Sequence, residues 1–447
     1  MAGRIEDYAL IGDCETAALV GRDGSIDWLC WPRFDADACF AALLGDPSNG
    51  RWKIAPAAEA AAASWRYRPD SLILETLYQT PDGAVRVIDF MPPRGATPTL
   101  VRLVTGVSGR LVMNCEFIVR FGYGKALPWV KRLADGGLSA IAGPDRVVLR
   151  TPVDLRPKDM TTVGAFTVEA GETTPFVLSY GLSHLAVPPA VDAARALAET
   201  EAFWRDWTAR SNVSGPYSEE INRSLITLKA LTHAPTGGVV AAATTSLPEQ
   251  FGGERNWDYR FCWVRDATLT LLALMNAGYF EEASAWRNWL LRAVAGAPDQ
   301  MQIMYGLAGE RRLTEWIADW LPGYEGAKPV RIGNAAHQQF QLDVYGELMD
   351  ALHQARKGGL PESEPAWAVQ QVLLKHVEAN WDEPDEGIWE VRGGRRHFTF
   401  SKVMAWVAID RGIKTAEQFG LDGDVDHWRA LRTHIHESIC LQGYDAA

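Results

Sequence analysis

No stretch of about 18 consecutive apolar residues occurs in this 447-residue chain, so nothing in it reads as a bilayer-spanning helix. Cysteine is scarce. The six residues, Cys14, Cys30, Cys39, Cys115, Cys262 and Cys440, form no CxxC pair, and the nine histidines do not gather near them. That pattern excludes a recognisable zinc site. It also speaks against a disulfide framework and points to reduced, buried thiols in a cytoplasmic protein. Positive charge is short as well: 44 Lys and Arg stand against 56 Asp and Glu, a net charge of −12. Such a chain lacks the basic face that phosphate neutralisation needs, so no nucleic-acid partner is expected. An anionic membrane surface is disfavoured for the same reason. The opening Met1-Ala2-Gly3-Arg4-Ile5-Glu6-Asp7-Tyr8 has no basic segment followed by an apolar one, so no secretory signal is read there. Low complexity is confined to an Ala-rich run at 56–63, read as a surface segment.

What is present is an ordinary globular composition, 47% hydrophobic and 22% charged, with length enough for two or three domains. Tryptophan is the outlier: 18 residues, 13 of them after position 200. Its flat face can stack on a sugar ring, and it can equally fill a large helical core.

The first 190 or so residues are β-rich. Candidate strands are Leu72–Tyr78, Val85–Phe90, Thr99–Thr105, Leu111–Arg120, Arg146–Leu149, Gly164–Val168 and Phe176–Ser179, with Pro81-Asp82-Gly83 as a hairpin turn. Many short strands in sequence predict an antiparallel β-sandwich over 1–188. After Pro188-Pro189 the periodicity turns helical. A linker helix is predicted within 189–214, then helices over 217–232, 265–277, 281–294, 337–356, 364–380, 397–412 and 424–442. Long loops at 234–262, 296–336 and 381–396 separate them, and loops of that length inside a domain usually carry function.

Three loop segments carry chemistry. Asn256–Asp266 packs two Trp, one Tyr, two Arg and two Asp into the start of a helix, with Asp266 in the first turn, where a carboxylate is favoured. Aromatic platforms beside guanidinium and carboxylate groups suit a polyhydroxylated ligand; an N-cap with an ion pair accounts for the same residues. The second segment runs from Met304 to Asn334 and alternates Gly, Pro and Trp with charge, as a cleft wall does and as a solvated loop does. In the third, Asp385-Glu386-Gly387-Ile388-Trp389-Glu390, a carboxylate directly follows an apolar pair. Apolar surroundings disfavour the charged form, which is what a general acid near neutral pH requires. Asp385 and Glu386 read as an exposed acidic turn.

At these motifs the sequence resembles glycoside hydrolase family 15, the glucoamylase and bacterial trehalase-like group. The likeness extends to Ile5–Asp13, Arg22–Cys30, Pro329–Tyr345 and Gly387–Trp406. It implies an N-terminal β-sandwich followed by an (α/α)6 toroid over 215–447, and an exo-acting, inverting hydrolase releasing glucose from an α-glucoside. It further implies Glu390 as general acid. Tyr259, Trp263, Arg265, Asp266 and Trp389 would line the subsite for the non-reducing glucose, with Arg331 and Asn334 in a loop facing the same cleft. Inversion needs a second carboxylate roughly 6.5–9.5 Å away. Within the chain Asp258, Glu310, Glu325 and Asp343 are candidates, though in the family the base lies over 100 residues past the acid. The chain runs 57 residues beyond Glu390 and about seven of the toroid's twelve helices are counted. The expectation is therefore a C-terminally truncated family member with an incomplete toroid, lacking its base, and self-associating through an apolar open edge. No metal or organic cofactor is called for. Two other readings stay open: a catalytically incompetent sugar-binding fragment, and a phosphorolytic relative using Arg331, Arg392, Arg395 and Arg396 as an anion pocket.

Overall fold

The computed structural model describes residues 2–60, 62–360 and 364–444. The Ala-rich run therefore lies outside the described residues at Ala61, as does the end of the chain at 445–447. Two compact units emerge. The first comprises Met1–His233 with two later excursions, Ala242–Arg260 and Trp316–Ile332. The second comprises Ala234–Ala241, Phe261–Glu315 and Gly333–Ala447.

The first unit is built on antiparallel β-structure. Its axis is one 20-residue strand, Thr99–Ile118, where the sequence suggests two. Its first half pairs with Gly83–Phe90 and Thr173–Leu182, and its second with Arg51–Pro56 and Thr161–Glu169. The strand runs on because backbone, not side chain, fills its middle. An added Cβ at Gly106 would lie 2.1 Å from the Glu169 carbonyl, so only glycine passes there. Thr80 and Gly83 close the predicted hairpin between Leu74–Thr80 and Gly83–Phe90. Trp52, Leu100, Met113, Phe117, Phe176 and Leu178 share one apolar core. Within it Arg102 is fully buried and forked onto Asp89, with Nε–Oδ1 at 2.7 Å, and it also donates to the Trp52 and Gly24 carbonyls. Helix α1 (Ala193–Thr208) starts where the Asp192 carboxylate accepts from the amides of Ala194 and Arg195, and α2 (Ser218–Ala230) follows.

The second unit is helical. Its elements are α3 (Val264–Asn276), α4 (Phe280–Ala293), α5 (Asp343–Lys357), α6 (Glu364–Asn380), α7 (Thr399–Phe419) and α8 (Val425–Gln442). Gly346 lets α5 approach α7 closely, since an added Cβ would lie 2.2 Å from the Met404 carbonyl. Trp263, Trp286 and Trp289 are core fillers here, each at 2% exposure or less, whereas Trp389 is 84% exposed. Part of the tryptophan excess is thus core filling, while Trp389 faces solvent. The helix expected from residue 337 starts only at Asp343. Ahead of it, a short 3-10 turn at Ala335–Gln338 gives way to extended backbone. Among the described residues no helix is long and apolar enough to cross a membrane, and no group of three potential ligands gathers as a metal site.

Candidate active site

The short strand Cys262–Trp263 runs directly into α3, and it pairs with Met304–Tyr305. This fixes Trp263, Arg265 and Asp266 at one helix end. The buried Trp263 indole donates from Nε1 to Oε1 of Glu390 at 2.7 Å. Arg265 places Nη2 3.7 Å from the same Oε1 and 3.1 Å from Oδ2 of Asp266, while Nη1 donates to the Ile388 carbonyl at 3.3 Å. Glu390 therefore faces one neutral donor and one cation. Its side chain is only 21% exposed. Burial is the largest influence on its carboxyl and raises its pKa above the ordinary value, while the indole bond and Arg265 oppose that shift. The backbone at Glu390 is left-handed, with φ of 52°, an uncommon state for a residue with a side chain.

The loop carrying Glu390 is tied down at both ends. Asp385 and Arg396 exchange two backbone hydrogen bonds, at 2.9 and 2.8 Å. The Asp385 carboxylate accepts from the Leu342 amide at 2.9 Å, and Glu386 accepts from the Phe340 amide at 2.8 Å. Gln339 donates to the Glu390 carbonyl at 3.2 Å. Gly387 turns the chain with φ of 67°, and an added Cβ would fall 2.6 Å from the Phe398 ring. These bonds correct one expectation. Asp385 is fully buried, and Glu386 is taken up by Phe340 and Arg395, so the pair is not an exposed acidic turn. They also explain the delayed start of α5, since the amides of Phe340 and Leu342 are claimed by the loop.

The structure brings together Trp263, Arg265, Asp266 and Glu390, with Trp389 beside them in sequence and open to solvent. Asn334 is buried at 1% and caps the turn Ala335–Gln338, its side-chain oxygen accepting from the Ala336 amide. Tyr259 and Arg331 belong to the first unit. Arg331 lies 4.4 Å over the Trp257 ring and donates to the Glu254 carbonyl at 2.6 Å. Asp258 is locked to Arg260 at 2.7 Å, both fully buried. Sequence reading missed Asp385, Glu386 and Gln339 as supports of the Glu390 loop, because their partners are backbone groups of a distant segment. It also missed Glu347, one turn along α5 from Asp343. Burial raises Asp343 to about 6 and Glu347 to about 7.

The sequence matches Glycosyl hydrolases family 15 over residues 215–447 and the Trehalase-like, N-terminal family over residues 1–203. It is 35% identical to a trehalase of Mycolicibacterium smegmatis, the alignment covering 99% of this chain and 70% of that protein. With a trehalase of Mycobacterium tuberculosis the identity is 37%, over 99% of this chain and 69% of the relative. In fold it resembles a bacterial glucoamylase solved in complex with acarbose: TM-score 0.69 at 11% identity, covering 98% of this chain and 67% of that one. An antiparallel β region followed by a helical region is common to both. The chain belongs to glycosyl hydrolases family 15, and it is a glycoside hydrolase.

Proposed function

We propose that this chain is an exo-acting, inverting α-glucoside hydrolase that releases glucose from a non-reducing end, with trehalose the first substrate to test. The observation that carries the reading is the carboxyl of Glu390, shielded from solvent yet held at 2.7 Å by the Trp263 indole. A carboxyl that holds its proton more tightly than usual and is fixed in one orientation can protonate a glycosidic oxygen. Arg265 and Asp266 would bind hydroxyls of the glucose in the subsite, and Trp389 would offer its exposed face to the ring. The relatives named trehalase support the substrate.

Inversion needs a base acting on water. Asp258 is held by Arg260, Glu310 folds back on the Ala308 amide at 2.8 Å, and the oxygens of Asp343 are sealed from solvent, so the base would be another carboxylate. Phosphorolysis is the weaker reading, because Arg392 is engaged by Glu315 and Arg395 by Glu386. We place the domains at 1–188, a linker at 189–214 and a toroidal catalytic domain at 215–447, in a cytoplasmic enzyme. Exposed Phe400, Val403, Leu441 and Tyr444 on α7 and the end of the chain offer a face for self-association, which light scattering would test.

The deciding experiment measures glucose release from trehalose, maltose and maltotriose by the chain and by Glu390→Gln. Release that disappears in the variant supports the reading. Phosphate-dependent release of a sugar phosphate would instead favour phosphorolysis. Sugar binding without turnover by the folded chain would favour a binding fragment.

A further inference from the structure

We propose that the first unit carries a ligand site of its own: a cavity for a straight-chain carboxylate, whose head group pairs with Arg120 and Lys131 and whose alkyl chain lies on an apolar floor. The site is separate from the hydrolase chemistry, since every residue that lines the cavity belongs to the first unit and Glu390 belongs to the second.

The cavity measures about 400 Å³, within the range of small-molecule sites. Its walls come from the end of the strand Thr99–Ile118, the strands Trp129–Arg132 and Leu138–Ala142, and the hairpin of Arg156–Lys158 with Thr161–Glu169. Phe117, Val119 and Leu155 form the floor, each no more than 4% exposed. Leu127, Val130 and Met160 are exposed at the rim, where an alkyl chain would cover them. Thr161 and Thr162 are the only uncharged polar side chains among the described lining residues. The walls therefore lack the amides and carboxylates that hold sugar hydroxyls.

Charge narrows the ligand further. In a chain of net charge −12, this cavity is lined by three cations, Arg120, Lys131 and Arg132, and by no carboxylate among the described residues. Arg120 is only 8% exposed. Its guanidinium donates to the Val119 and Met160 carbonyls at 2.8 and 3.0 Å, and no carboxylate among the described residues pairs with it. Burial lowers its pKa from the ordinary value, with no neighbouring charge opposing that shift. A buried cation without a counter-ion is unfavourable, and an anion in the cavity would supply one. Two carbonyls leave guanidinium donors free for a carboxylate. Arg132 is already engaged, donating to the Leu155 carbonyl at 2.8 Å and lying 3.7 Å from Asp154. Asp159 and Met160 are both left-handed, with φ of 47° and 61°, in a turn that ordinarily favours Asn-Gly. The bond from Arg120 to the Met160 carbonyl fastens that turn at the rim.

Isothermal titration calorimetry of the full chain with decanoate tests the site. Decyltrimethylammonium supplies the same body with the opposite charge, and acetate the charge without the body. Saturable uptake of decanoate is expected, with affinity falling by about fourfold for each methylene removed on going to octanoate. Neither control should bind saturably. Arg120→Met should weaken decanoate on the order of tenfold, and Lys131→Glu, at an exposed position, by roughly threefold. Should Arg120→Met not fold, Met160→Asp carries the same expectation: aspartate tolerates the left-handed backbone there, and its charge repels the ligand. Absence of saturable decanoate uptake overturns the proposal, as does equal uptake of decyltrimethylammonium. An affinity unmoved in natively folded Arg120→Met or Met160→Asp overturns it as well. Self-association that Met160→Asp abolishes, without decanoate uptake, would give the cavity to a second copy and overturn the proposal, and so would binding to anionic vesicles alone.

Discussion

The indole of Trp263 and the carboxyl of Glu390 are joined by a 2.7 Å hydrogen bond across 127 positions of sequence. Trp263 is itself buried at 1% in the core of the helical unit. The orientation of the Glu390 carboxyl is therefore inherited from the packing of a core residue as well as from the loop that carries it.

Glu390→Gln keeps the size and the acceptor of the side chain but cannot deliver a proton. Hydrolysis of trehalose should fall by about 10²- to 10⁴-fold, the usual worth of general-acid help. The far-UV circular dichroism should be unchanged.

Trp263→Phe removes a donor that stabilises the ionised form of Glu390. The carboxyl should then titrate at higher pH, because the bond lowers it and burial remains. The alkaline limb of kcat/KM should move upward. The rate at the optimum should drop on the order of tenfold, as the loss of one hydrogen bond to a charged group implies. An alkaline limb that stays in place or moves down would count against this bond as the main restraint.

Asp385→Ala leaves the Leu342 amide buried without an acceptor and loosens the loop that carries Glu390. A loss of about 1–3 kcal/mol in unfolding free energy is expected in urea titrations. A fall in kcat larger than any change in KM should accompany it.

Glu347 has its pKa raised from 4.5 to about 7, with burial the largest cause and the charge of Asp343 next. The folded state then binds a proton more tightly than the unfolded chain. This contribution is fully present below about pH 4.5, and it is lost as pH rises through about 7. Glu347→Gln should therefore gain stability relative to wild type at pH 8 and show little difference at pH 4. Denaturant midpoints at the two pH values test the sign.

Arg102→Leu strands the buried Asp89 carboxylate without its fork. Breaking a fully buried pair from one side is expected to destabilise the first unit by about 3–5 kcal/mol. A thermal scan showing no shift would contradict that.

The helices and most later strands were legible in the chain, because periodicity and capping are local properties. In the structure Asp192 and Asp424 cap helix starts, their side chains accepting from backbone amides. Glu390 stood out in the chain because it follows the apolar Ile388 and Trp389, yet in the structure its carboxyl is packed on the Trp263 indole while Trp389 is 84% exposed. What tertiary structure alone decided is how that carboxyl is held. The Trp263 donor, the Arg265 cation and the amides of Phe340 and Leu342 come from segments far apart in sequence. No spacing rule links such segments, because backbone amides carry no residue-type signature. The same holds for Asp385, whose acidic side chain looks solvent-bound in sequence and is buried because the start of α5 needs an acceptor.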